Sequence, residues 1–240
     1  MSKNELYENY VTNIYSNLNN FDEADYRQNA ETLIRTYRRF LPANKDCRIL
    51  DVGCGSGFFL YALRSIGYTD VRGIDLSPEQ IDLAKGYGLN VECANFFDYL
   101  PNFDESFDLI ICTDVMEHLT RDQLMEYMSL IRRALKPGGT FLAAVPNANA
   151  PFASRLRYKD LTHEQAFTEE SIRQLFIIGD LTPEYVGDQT IPPSTIQAYA
   201  RKGLSTAMRG IWRLFMIAEL GKEAFGVPLD TILIAVGRKP

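Results

Sequence analysis

Ile49-Leu50-Asp51-Val52-Gly53-Cys54-Gly55-Ser56-Gly57 is an apolar run that breaks into glycine at alternate positions. The part before Gly53 suits a short buried strand, since aliphatic side chains pack on both faces of a pleated ribbon. Glycine lacks a Cβ, so the backbone can turn tightly there and a ligand can come close to it. Leu60 to Ile66 then reads as a helix. A second apolar run, Val71 to Ile74, ends at Asp75, about twenty residues beyond the turn. At that separation a carboxylate can take both ribose hydroxyls of a bound nucleoside.

The chain on either side continues the alternation. Pro78 to Lys85 reads as a helix with Ser77 as N-cap, and Val91-Glu92-Cys93 as a third strand. Phe107 to Cys112 is a fourth strand, Arg121 to Leu135 a long amphipathic helix closed by Lys136-Pro137-Gly138-Gly139, and Thr140 to Val145 a fifth strand. Helix Glu169 to Ile178 follows, capped by Thr168. Tyr185-Val186 and Ile232 to Val236 are the last strands. Strands alternating with helices imply parallel pairing through right-handed crossovers. Upstream, Glu5 to Leu41 carries Ala30, Leu33, Ile34, Tyr37 and Phe40 at helical spacing and stops at Pro42.

The chain length of 240 residues allows one large domain with appended elements. A net charge of −6 argues against a DNA-binding surface. Cys47, Cys54, Cys93 and Cys112 form no C-x-x-C pair and have no histidine at ligand spacing, so neither a zinc site nor a disulfide framework is expected. Met1 to Tyr10 lacks a secretory apolar region, and no run is long enough to span a bilayer. A cytoplasmic location is the expectation.

The identity of the nucleoside turns on charge. A dinucleotide sets its pyrophosphate on a helix N-terminus, and an acid beside it would repel. Here Asp51 precedes the turn. An acid there favours a ligand bearing an ammonium and a sulfonium, which points to S-adenosylmethionine.

Asp51-x-Gly53-x-Gly55-x-Gly57, Gly73-Ile74-Asp75-Leu76-Ser77, Asp114-Val115-Met116-Glu117-His118-Leu119 and Leu135-Lys136-Pro137-Gly138-Gly139 resemble, in order, the motifs of class I S-adenosylmethionine-dependent methyltransferases. The resemblance covers about residues 45–146. It implies that Gly53 and its neighbours pass under the methionine portion, that Asp75 binds the ribose and that Leu76 packs on adenine. In Cys93-Ala94-Asn95-Phe96-Phe97 the family usually has Gly-Asp in place of Ala94-Asn95. Asn95 can still accept from the adenine amino group through its side-chain oxygen. Phe96 would offer its backbone N–H, and Thr113 its carbonyl to the methionine amino group. The expected fold is α/β: a Rossmann-like doubly wound, mostly parallel seven-stranded sheet with an antiparallel last strand. A helical cap over residues 1–44 precedes the main domain, 45–240, which carries an acceptor-side loop at 147–168 and a helical insertion at 191–227.

Methyl transfer from a sulfonium needs a general base only where the acceptor must lose a proton, as a hydroxyl must. The chain has two histidines. His163, beside Glu164, falls in a loop beyond the fifth strand and is the leading base; His118 and Asp114 are the other candidates. Arg157-Tyr158-x-Asp160-x-Thr162-His163-Glu164-x-x-Phe167-Thr168 resembles the corresponding loop of bacterial methyltransferases of surface-glycan and polysaccharide assembly. That resemblance implies a sugar, glycan or nucleotide-sugar hydroxyl as acceptor. Arg157, Tyr158 and Glu164 would contact it, and Arg155, Arg157 and Lys159 would suit a phosphate handle. An amine, carboxylate or phosphate acceptor, or a cofactor-binding scaffold without chemistry, are the alternatives. The insertion carries Leu204, Met208, Ile211, Trp212, Phe215, Ile217 and Leu220, with Arg209 and Arg213 on one side. Such a helix is expected to bury its apolar side on its own chain or on a second subunit of a homodimer, with a helix lying in a membrane interface as the alternative.

Overall fold

The structure, a computed structural model, describes residues 21–240. Seven strands form one sheet: β1 Arg48–Val52, β2 Asp70–Asp75, β3 Val91–Cys93, β4 Phe107–Thr113, β5 Leu135–Pro146, β6 Thr182–Asp188 and β7 Ile232–Arg238. Their order is β3-β2-β1-β4-β5-β7-β6, and β7 runs antiparallel to both neighbours. The expected Rossmann-like sheet is thus observed. Its order reverses between β1 and β4, with Val52 level with Ile74 on one side and Cys112 on the other. In such sheets the crevice outside the strands' carboxyl ends, at that reversal, is where ligands bind.

The central strands are buried on both faces, as their unbroken apolar runs require. One apolar cluster gathers Leu50, Ile110, Phe141 and Val145 with Tyr127 and Ile131 of α5 Arg121–Ala134. The other gathers Ile49, Leu109, Ile111 and Leu142 with Leu60 and Leu63 of α2 Phe58–Ser65. Both sides of the sheet are therefore sealed, each such side chain contributing roughly 1.5–3 kcal/mol.

The fifth strand differs from expectation. Leu135 already pairs with Phe107, and the register then jumps so that Thr140 pairs with Leu109. Lys136-Pro137-Gly138-Gly139 is a bulge inside β5 rather than a turn before it. Lys136 closes the excursion by pairing with Asp108 at 2.7 Å.

Helix α1, Glu23–Tyr37, is the described part of the expected N-terminal cap; residues 1–20 of that expectation lie outside the described residues. Tyr26 anchors α1: its hydroxyl donates to the Ser56 carbonyl at 2.5 Å and its ring stacks on Tyr87. The cap thus packs over the glycine turn. Helices α3 Pro78–Gly86 and α4 Phe96–Tyr99 follow β2 and β3. The loop after β5 includes a short helix, α6 Ala153–Tyr158, before α7 Glu169–Ile178, whose Thr168 and Ser171 form a reciprocal cap.

Within the expected insertion, one helix, α8 Ile196–Leu220, spans 25 residues. None of its residues is buried. Arg209 pairs with Asp230, and Arg213 donates to the carbonyls of Ala224 and Val227 at 2.8 and 2.7 Å. The expectation of an apolar side buried on its own chain is corrected: the arginine side faces the body of the molecule. The arginines win because buried carbonyls and a carboxylate there need donors, and α8 supplies them. No helix among the described residues is long and apolar enough to cross a membrane.

Candidate active site

A cleft of about 450 Å³ opens at the carboxyl ends of β1, β2, β3 and β4. Its floor is the glycine turn. The N–H groups of Gly53 and Cys54 both donate to the Ile74 carbonyl, at 2.8 and 3.0 Å, which ties the turn to β2. Gly53 sits at φ +73°, and a Cβ there would lie 2.1 Å from a Val115 methyl. A side chain at Gly53 would therefore be excluded by backbone conformation and by Val115 together. Gly53 and Gly55 line the cleft, whereas Gly57 does not. Gly57 starts α2 in a left-handed conformation, packed against Ala84 and Leu89.

Asp75 is held from two sides. Its Oδ2 accepts from Gly55 N–H at 2.9 Å and its Oδ1 from Ser77 N–H at 2.8 Å. Burial raises its pKa, and those two N–H groups partly offset the rise. Each carboxylate oxygen keeps a lone pair for a further donor. Leu76, half-exposed, Asn95, Phe96 and Thr113 also line the cleft. Asn95 caps α4, its Oδ1 accepting from Phe97 N–H at 3.0 Å. One of its two acceptor lone pairs is thereby committed to the fold. Phe96 is a wall residue and a core residue at once, edge-on to Tyr127 at 4.8 Å.

Asp51 lies beneath the cleft rather than on its wall. It is 2% exposed, and its Oδ1 has no hydrogen-bond partner. Burial, helped by the charge of Asp75, pushes its pKa up to about 7. Asp75 and Asp114 line the cleft, and no lysine or arginine does so among the described residues. An orphaned carboxyl and two further acids suit a ligand that brings positive charge, and a pyrophosphate would find no counter-charge here. The cradle fits S-adenosylmethionine.

The region of the cleft around His118 is built from parts distant in sequence. His118 stands on the cleft wall. Its Nδ1 lies 2.7 Å from Thr162 Oγ1, which in turn lies 2.7 Å from Asp160 Oδ1. A hydroxyl has one proton, and the carboxylate can only accept it; the hydroxyl oxygen then accepts from His118 Nδ1–H. That accounting leaves Nε2 as the basic nitrogen of the neutral ring. Partial burial works against the Asp160 charge, but the Thr162 hydroxyl and N–H outweigh it and hold the carboxyl below its ordinary range.

His163 is buried behind His118, not on the described cleft wall. The two rings meet edge-to-face at 4.7 Å, and His163 Nδ1 lies 3.0 Å from the Leu156 carbonyl. Glu117 is 1% exposed, its Oε2 lacks a partner, and burial with the nearby Asp114 charge raises its pKa to about 8. Glu117, His118 and His163 each bring one ligand atom within 4.8 Å of the others, a set of donors that could hold a metal ion, although no metal site was expected. Asp114 lies beside them at φ +56°, its pKa raised by burial and partly restored by Lys159 and His163.

The three acceptor-binding candidates do not line the cleft. Arg157 donates to the Glu164 carbonyl at 2.9 Å and lies over the Tyr158 ring at 5.2 Å. Tyr158 is 74% exposed. Together they form an outer patch of the loop. Glu164 and Gln165 N–H both donate to the Glu117 carbonyl, at 2.7 and 2.9 Å, and so dock that loop beside His118. Sequence reasoning missed Phe21, Asn29 and Gln123, which line the cleft, and Asn147. Asn147 is fully buried and donates to the carbonyls of Pro228 and Asp230, at 3.0 and 2.7 Å. No local pattern marks these residues; only the chain's return paths bring them in.

The methyltransferase-domain family matches residues 25–177. Over 109 residues the chain is 31% identical to the ubiquinone biosynthesis O-methyltransferase of Thiobacillus denitrificans, covering 43% of this chain and 46% of that protein. The Coxiella burnetii protein of the same name is 32% identical over 111 residues, 44% of this chain and 46% of its own length. The chain thus matches just under half the length of these relatives. Among solved structures, a SAM-dependent methyltransferase from Archaeoglobus fulgidus aligns at a TM-score of 0.62 with 21% identity, covering 90% of this chain and 97% of that one. Haemonchus contortus phosphoethanolamine N-methyltransferase 2, solved with S-adenosyl-L-methionine, aligns at 0.60 with 21% identity over 89% and 52%. At those identities the structures speak for the fold alone. With a family match over most of its sheet and a cation-seeking cleft at the strand ends, this chain belongs to the methyltransferase-domain family.

Proposed function

We propose that the protein transfers the methyl group of S-adenosylmethionine to a hydroxyl oxygen of a small molecule, with His118 as general base. The carrying observation is the chain from His118 Nδ1 through Thr162 Oγ1 to Asp160, at 2.7 Å each, on the wall of the cleft. When bound, S-adenosylmethionine supplies an activated methyl on a sulfonium. The protein's part is then to bind, align and take up a proton. Asp75 would hold the ribose, with Leu76, Asn95 and Phe96 around the adenine. The main chain from Gly53 to Gly55 would pass under the methionine portion, Thr113 would meet its amino group, and Asp51 would answer its positive charge from below.

A hydroxyl is a poor nucleophile at neutral pH, and proton removal during attack is worth roughly a hundred- to ten-thousand-fold. Nε2 of His118 would take that proton; the Thr162–Asp160 arm holds the ring in the required tautomer and stabilises the cation formed. His163, backing the ring, and Asp114, beside it, would position it. This differs from the sequence-based expectation, in which His163 itself was the leading base. An amine that arrives as its free base already carries the attacking lone pair and can release its proton after transfer, so it depends less on such an arm.

Two acceptor classes are supported by different observations. The loop of Arg157, Tyr158 and Glu164 resembles that of glycan-assembly enzymes, which favours a sugar hydroxyl, and its arginines suit a phosphate handle. The similarity to enzymes named ubiquinone biosynthesis O-methyltransferases favours an aromatic hydroxyl. The test is turnover of radiolabelled S-adenosylmethionine against nucleotide sugars, lipid-linked glycans, catechols and amines. Label on oxygen of either hydroxyl class is expected. Exclusive label on nitrogen would overturn the reading.

A further inference from the structure

Helix α8 is turned inside out: its arginine side is tied to Asp230 and to the carbonyls of Ala224 and Val227, and its other side faces solvent. At 100° per residue, Ile196, Ala200, Gly203, Ala207, Ile211 and Leu214 share that outer side, flanked by Leu204 and Phe215. Ile196 is 89% exposed, Leu204 75% and Leu214 67%. No charged residue falls on this face along a helix about 37 Å long. A contiguous apolar surface of that length marks an interaction site.

We propose that this face is covered by α8 of a second copy of the chain, in an antiparallel pair about a two-fold axis near Gly210. Two features choose this occupant. Gly203, Ala207 and Gly210 keep the face shallow, so a second helix can come close. The charges beside it are also self-complementary. Arg201 and Glu219 are eighteen residues apart, about five full turns, so both lie on the same flank of the apolar face. A two-fold axis perpendicular to the helix at Gly210 sets Arg201 of one protomer level with the partner's Glu219, and the reverse. Each ion pair then occurs twice, as an isologous interface requires. A lipid surface would also take the apolar face, but it would give no reason for an acid and a base at matched heights on one flank.

The test uses the full chain in sedimentation equilibrium. The wild type is expected at twice the chain mass at micromolar concentration. Glu219→Arg alone and Arg201→Glu alone set like charges opposite each other and should each weaken dimerisation by about tenfold or more. The double variant, Arg201→Glu with Glu219→Arg, should restore it. A wild-type far-UV circular dichroism spectrum with a cooperative unfolding transition identifies the variants as folded, and a variant that fails this control is replaced by Arg201→Gln or Glu219→Gln, expected to weaken the dimer less. A monomeric wild type overturns the proposal, and so does a double variant as weak as either single one. A monomer that co-floats with vesicles of phosphatidylglycerol and phosphatidylcholine overturns it in favour of a lipid surface.

Discussion

The two walls of one cleft, proposed to hold cofactor and acceptor, are built by different rules. Residues on the cofactor side stand at or just past strand ends: Gly53 after β1, Asp75 closing β2, Asn95 and Phe96 after β3, Thr113 closing β4. Their positions follow once strands and turns are set, because parallel strands bring their carboxyl ends to one edge. On the acceptor side, His118 is oriented by Thr162, 44 residues further on, and backed by His163. Buried Asn147 ties the start of that loop to residues past position 227. The difference teaches that a ligand common to a family can be held by local motifs, while an acceptor is met by loops whose meeting is a tertiary event.

The sharpest way to break this comparison is at His118. His118→Ala should lower kcat roughly a hundred- to ten-thousand-fold, while calorimetric affinity for S-adenosylmethionine changes less than about tenfold. His163→Ala should cost less than His118→Ala. The reverse ranking on the true acceptor would return the base to His163 and leave His118 as its support. Near-normal turnover in both would mean that the acceptor arrives already deprotonated, as an anion or a free amine.

The next effect tests the cofactor wall. Asp75→Ala should weaken S-adenosylmethionine binding by about 1.5–3 kcal/mol, the worth of hydrogen bonds to a charged group. Asp75 also receives Gly55 and Ser77 N–H, so Asp75→Asn separates the lost charge from the loosened turn. An unchanged dissociation constant in both variants would remove Asp75 from the site. NAD should not bind, since among the described residues the cleft wall offers its pyrophosphate no lysine or arginine.

A smaller effect reads the buried acid under that wall. Asp51, with its pKa raised to about 7, keeps its proton in the folded protein at pH values where the unfolded chain would release it. The stabilisation this gives is complete below the ordinary carboxyl pKa and is lost as pH rises to about 7. A cationic ligand has the opposite preference and binds better once Asp51 ionises. Affinity for S-adenosylmethionine should therefore rise about tenfold from pH 6 to 8, since one pKa unit is worth 1.36 kcal/mol. Asp51→Asn should flatten most of that slope. A slope unchanged in the variant would assign it to another group.

The smallest effect sits on the acceptor side. Thr168 caps α7 by accepting from Ser171 N–H at 3.2 Å, and Thr168→Ala should lower stability by about 1 kcal/mol. Chemical denaturation measures it. Cofactor affinity should not follow, because α7 does not touch the cofactor wall. A parallel loss of affinity would mean that the two walls are coupled.

Read alone, the sequence determined the sheet and its glycine turn, and it marked the residues proposed to cradle the cofactor. Alternating apolar runs and glycine turns are short-range signals, and Asp51, Gly53, Gly55 and Asp75 lie within one strand-turn-helix-strand unit. It also marked both histidines and the loop that carries His163. Only the tertiary structure decided which histidine faces the cleft, because that depends on the Glu117 carbonyl capturing Glu164 and Gln165 N–H across the fold. It alone turned α8 over. Helical periodicity shows that a helix has two sides, but which side meets the body depends on carbonyls and carboxylates elsewhere, here Ala224, Val227 and Asp230, that need donors.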